Sequence, residues 1–91
     1  MAKATFVKAL EGFTGDARLF RCEGGPLPEY VVVSATVAYC SGPETYIFAA
    51  DEHGAVTSWL HLEGSFRGAL DHARALENAG YEVVVPGKVA A

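Results

Sequence analysis

Both alternating faces of the stretch from Tyr30 to Tyr39 are largely apolar. Odd positions give Val31, Val33, Ala35, Val37 and Tyr39, an unbroken stripe, and even positions give Tyr30, Val32, Ser34, Thr36 and Ala38, a mixed one. Successive side chains of a strand point to opposite faces, so a strand of this kind needs cover on two sides. The rest of the pattern predicts one convincing helix. The second side must then be closed by a bend of the sheet, by another copy of the chain or by a foreign partner.

The flanking segments read as further strands. Thr5 to Leu10 and Ala17 to Glu23 form a predicted hairpin around the turn-rich 11–16, and Gly24-Gly25-Pro26-Leu27-Pro28 interrupts the ladder because proline lacks the donor and glycine weakens extended structure. Ser41 to Glu44 predicts a turn and Thr45 to Ala50 a fourth strand. Asp51-Glu52-His53-Gly54 then reads as a hairpin loop with Gly54 at positive φ, leading into a fifth strand over Ala55 to Leu62. Helical spacing appears only at Phe66, Ala69, Leu70, Ala73, Leu76 and Ala79, which predicts a helix over 66–79 with Ser65 as N-cap and Gly80 as the C′ residue. Gly68 inside it either admits close packing or marks a later start, and Arg67 and Asp71 are spaced for an i,i+4 pair. Tyr81 to Val85 is a short sixth strand, stopped at Pro86.

Length and composition set the limits of this picture. Ninety-one residues make a single domain, 1–91, near the lower size limit for a self-sufficient core, and a hydrophobic fraction of 51% is high for its size. Apolar surface left over would mark an interaction site. The net charge of −4 comes from 11 acidic and 7 basic residues, both dispersed, so no basic stripe invites nucleic acid. No stretch approaches a membrane span or the apolar core of a signal peptide, and the two cysteines, Cys22 and Cys40, have no metal-ligand or C-x-x-C spacing. The expectation is a cytoplasmic protein with reduced thiols and no cofactor.

Candidate chemistry is sparse. His53, His61 and His72 fall on a predicted turn, strand and helix without a ligand spacing, so no metal site is expected. A cysteine nucleophile with His61 or His72 as base would make a small Cys/His hydrolase, the least favoured reading, and 63–68 matches neither a P-loop nor a G-x-S-x-G elbow. No catalytic residue is assigned. Aromatics carry more information: Tyr30, Tyr46, Phe48 and Trp59 come from the central strands, and such residues serve both sheet cores and binding hot spots. Trp59 lies opposite the apolar stripe of its own segment, and Trp59, Tyr46, Tyr30, Val32 and Phe48 are the candidate partner-binding residues.

The segments Val31-Val32-Val33-Ser34-Ala35, Ser41-Gly42-Pro43-Glu44-Thr45-Tyr46-Ile47-Phe48 and Gly64-Ser65-Phe66-Arg67-Gly68-Ala69-Leu70-Asp71-His72, running on to Ala79-Gly80-Tyr81, resemble a family of small uncharacterised proteins of actinobacteriophages, chiefly mycobacteriophages. The likeness covers about residues 30–85 and leaves 1–29 outside it. It implies an accessory product that acts in the infected cell by binding a host protein, and it carries over no catalytic residue.

The expectation is therefore an α+β fold, an antiparallel meander of five to six strands with one helix packed on one face through Leu70, Ala73 and Leu76. The expected function is non-enzymatic binding of a host protein through the uncovered sheet face or a strand edge. The alternative is a self-assembling protein in which the same surface closes a homodimer.

Overall fold

The computed structural model describes residues 2–13, 15–38 and 42–85. Six strands and one helix follow in the order β1 (Lys3–Leu10), β2 (Asp16–Glu23), β3 (Tyr30–Ala38), β4 (Gly42–Ala49), β5 (Phe66–Arg67), α1 (His72–Asn78) and β6 (Glu82–Val84). They form one sheet ordered β5-β4-β3-β2-β1-β6, curled into half a barrel. The fold is α+β and mostly β. β1 to β5 run antiparallel to their neighbours, but β6 pairs in parallel with β1, because α1 carries the chain across one face from the β5 edge to the opposite edge. That crossover takes the architecture beyond a simple meander.

Both faces of β3 are buried over its first half, where Val31, Val32 and Val33 have no exposed surface, but the stripe is not covered to its end, since Val37 is 64% exposed. On one face Val31 and Val33 join Ala4, Phe20, Cys22, Ile47, Ala75, Leu76 and Tyr81 in a core closed by α1. On the other, Val32 packs with Ala17 and Leu19 under Leu10, Phe13, Tyr30, Ala50 and Val56. The second side is thus covered by the curl of the sheet and by the chain's own loops, and the need for an obligatory associate to bury the valines disappears. A register shift in β1 between Phe6 and Lys8 serves this two-sided arrangement. Before it Ala4 and Phe6 pack on the helix side, and after it Leu10 packs on the other.

The helix is shorter than its apolar spacing predicts. Phe66 and Arg67 are recruited as a strand opposite Thr45 and Glu44, Gly68 turns the chain at φ 109°, and Asp71 is the N-cap, accepting from the Arg74 N–H at 3.0 Å. Ser65 is not the cap: its hydroxyl donates to the Leu62 carbonyl and accepts from the Ile47 N–H, both at 2.8 Å. Thr45 fixes the approach to the helix, donating to the Ala69 carbonyl at 2.9 Å and accepting from the Asp71 N–H at 3.0 Å. The packing residues are consequently Ala75 and Leu76, while Leu70 is exposed. At the C-terminus Gly80 takes φ 92°, its N–H donating to Glu77 and that of Tyr81 to Leu76, the paired bonds of a Schellman motif.

Strand limits also differ from the pattern, most of all at β4 and in the segment after it. β4 begins at Gly42 rather than Thr45, because Pro43 and Glu44 stand opposite Val37 and Thr36 in the ladder. Ala55 to Leu62 is not a strand. It touches β4 through the Ala50–Val56 bridge and through Thr57 and Leu62 N–H bonds to Ala49 and Ile47, with Ser58 to His61 standing off as a broad loop. The turn before it is tied by the Asp51 carboxylate, which accepts from the His53 and Ala55 N–H groups, and Gly54 has φ 89°. Tyr39, Cys40 and Pro86 lie outside the described residues.

Candidate binding cleft

The broad loop leaves the ladder because its rings pack onto the second face of β4. Alternation puts Glu44, Tyr46 and Phe48 on that face, and register places Thr36, Ser34 and Val32 directly opposite them on β3. His61 stacks on Tyr46 with ring centroids 3.8 Å apart and planes 19° from parallel. Trp59 meets Phe48 edge-on at 5.1 Å, and Phe13, from the turn between β1 and β2, approaches Trp59 at 6.4 Å. Pairs of this geometry contribute about 0.5–1.5 kcal/mol each beyond the area they bury, enough to compete with the ladder bonds given up.

Between these walls lies an open cleft of about 450 Å³. Its sheet side carries Ser34, Thr36, Glu44, Tyr46 and Phe48, one wall is Trp59 and His61, and the other is Gly12 and Phe13. Phe48 is only 8% exposed, whereas Trp59 is 65% exposed at the lip. A polar relay crosses the β4–β5 side. Arg67 Nε donates to the Tyr46 hydroxyl, which donates to Glu44 Oε2, each at 2.8 Å, and Arg67 Nε lies 3.9 Å from that carboxylate oxygen. The Glu44 side chain is 13% exposed and that of Arg67 68%. The Tyr46 hydroxyl foremost, and the Glu44 carboxylate with it, hold Arg67 above its ordinary value. The predicted Arg67–Asp71 pair gives way to this relay.

Of the five residues named from sequence, Tyr46, Phe48 and Trp59 meet in the cleft. Tyr30 is half-buried beside the second core cluster, and Val32 is fully enclosed in it and offers a partner no surface. Gly12, Phe13, Ser34, Thr36, Glu44 and His61 complete the lining; of these, only His61 is weighed from sequence, and as a metal ligand or base, not as a partner contact. Glu44 and Tyr46 share a strand face at i,i+2 spacing, and His61 follows Trp59 by the same interval. That was the available signal; Phe13 arrives only through tertiary packing.

The remaining chemistry is quiet. Among the described residues no group of three or more histidine, cysteine or acidic side chains is placed to hold a metal. His53 is an exposed turn residue, and His72 is buried with Nε2 2.8 Å from the Asp16 carbonyl oxygen. Burial pushes the Cys22 thiol up to about 11, which suppresses the thiolate a nucleophile needs. A second cavity of about 230 Å³ lies between α1 and β6, lined by Phe6, Phe20, Val83 and Arg18 among others. The Arg18 guanidinium there is already held by both oxygens of Asp16, at 3.2 and 2.8 Å. No helix among the described residues is long and apolar enough to cross a membrane. No family model, curated protein or solved structure matches the chain.

Proposed function

We propose that this chain is a non-enzymatic binding protein that docks a partner protein through the aromatic cleft on the second face of its sheet. The observation that carries the reading is Trp59, 65% exposed at the lip of a cleft whose floor is the nearly buried Phe48. Aromatic rings in a recess are the usual centres of binding energy, and rings already packed on one another lose little freedom when a partner arrives. Leu60, 75% exposed beside Trp59, extends the apolar lip. The resemblance of residues 30–85 to actinobacteriophage proteins supports a partner in an infected host cell.

The test is capture from a mycobacterial lysate followed by binding with the purified partner. Trp59→Ala and Tyr46→Ala should each weaken binding at least about tenfold, the loss typical of a hot-spot residue. Leu70→Ala, on the exposed side of the helix approach, should leave it unchanged. A partner held equally well by both cleft variants removes the cleft from the function.

A further inference from the structure

Resting on the cleft as the docking surface, we propose that what it receives from the partner is a cation, the ammonium or guanidinium group of a lysine or arginine side chain on a basic segment. The faces of aromatic rings are electron-rich and attract such groups, and Tyr46, Phe48, Trp59 and Phe13 all line the recess. Glu44 adds a carboxylate with only 13% of its side chain exposed. In a partly desolvated wall that charge favours a cation and opposes an anion. A wholly apolar group would cover the Ser34 and Thr36 hydroxyls and the remaining acceptor capacity of Glu44, whose Oε2 already accepts from Tyr46, whereas ammonium and guanidinium groups bring donors for those oxygens.

A cation already sits at the edge of the cleft, held by its oxygens. The chain's own Arg67 guanidinium is held there by the Tyr46 hydroxyl at 2.8 Å, with Glu44 at 3.9 Å. The net charge of −4 complements a basic segment over longer range and speeds its approach. The volume of about 450 Å³ falls within the range of small-ligand pockets, about 300–1,000 Å³, and admits a long side chain with its bound water.

The chain has one tryptophan, and it stands at the lip, so its emission reports occupancy. The probes are short peptides that carry lysine or arginine in an otherwise neutral sequence. Matched peptides carry norleucine, citrulline or glutamate, and a neutral disaccharide serves as a further probe. Lysine and arginine peptides should change Trp59 emission saturably, with an affinity that falls as salt rises, and the neutral peptides should bind about tenfold more weakly. Glu44→Gln should weaken the cationic peptides about fivefold, while Arg67→Gln should strengthen them about twofold by removing the competing guanidinium. Arg67 is exposed, so its variant keeps the test open should Glu44→Gln fail to fold.

Equal binding of the norleucine peptide, or preference for glutamate or the disaccharide, overturns the cation and leaves the cleft standing as a docking surface. If no probe binds, the cation falls. Whether capture of the partner still depends on Trp59 then decides the docking reading separately.

Discussion

The two faces of the sheet are built from alternate residues of the same strands, yet they are closed by different means. Beneath α1, Val31, Val33 and Ile47 meet Ala75 and Leu76, and a regular helix lays a continuous apolar stripe along them. On the opposite face Val32 and Leu19 are sealed near β1 and β2, while farther along β3 and β4 an irregular loop spans the strands with rings. The helix side keeps a smaller cavity of about 230 Å³ beside β6, whereas the loop touches at chosen points and leaves the recess of about 450 Å³ between them. The wider recess lies on the face that lacks the regular element.

The contrast is broken most directly through Leu76. Leu76→Ala should cost about 3 kcal/mol in denaturant unfolding, because the site is fully enclosed and bounded by a sheet that cannot collapse into the cavity. Trp59→Ala should cost less, about 1–2 kcal/mol, since its contacts with Phe48 and Phe13 are lost but most of the ring is already in water. Equal losses at the two positions would make the loop part of the core and erase the distinction. Asp71→Ala comes next, at about 1 kcal/mol, through loss of the helix cap. Its effect should leave Trp59 emission unchanged while lowering the unfolding midpoint, because the cap serves only the helix side.

Sedimentation sharpens the comparison further. With Val31, Val32 and Val33 enclosed on both faces, the protein should remain a monomer as its concentration rises. A dimer dispersed by Trp59→Ala would turn the cleft into a contact between copies. The smallest effect is in acid. Arg18 hydrogen bonds hold Asp16 below its ordinary 3.8, and the Ala55 and His53 N–H groups do the same for Asp51. Each contribution is complete above about pH 3.8, where the unfolded carboxyl has also ionised, and is lost as pH falls through the lower folded value. Asp51→Asn should therefore reduce the acid sensitivity of Trp59 emission, and Asp16→Asn should reduce that of the helix side read by far-ultraviolet dichroism.

Much of the helix side was legible in sequence, because local rules operate there. The two-faced valines of β3, the hairpin of β1 and β2 and the Gly80 terminus of α1 all follow from alternation or spacing. The onset of α1 was not, because Phe66 satisfies a helical pattern equally well but gains a ladder with Thr45, a residue 21 positions earlier. The loop side was legible only as a list of rings. Trp59, Tyr46 and Phe48 stood out by type, whereas their union with Glu44, His61 and Phe13 depends on a segment abandoning β pairing for ring packing. Alternation cannot report that choice, since Ala55 to Leu62 alternates well enough for either outcome.

The parallel pairing of β6 with β1 joins Lys3–Thr5 to Glu82–Val84. The outer edge of β1 is therefore occupied only when a strand from the far end of the described residues has folded back onto it. Until then that edge offers unpaired backbone groups to neighbouring chains, and the closing of this long-range seam should be a late event in folding.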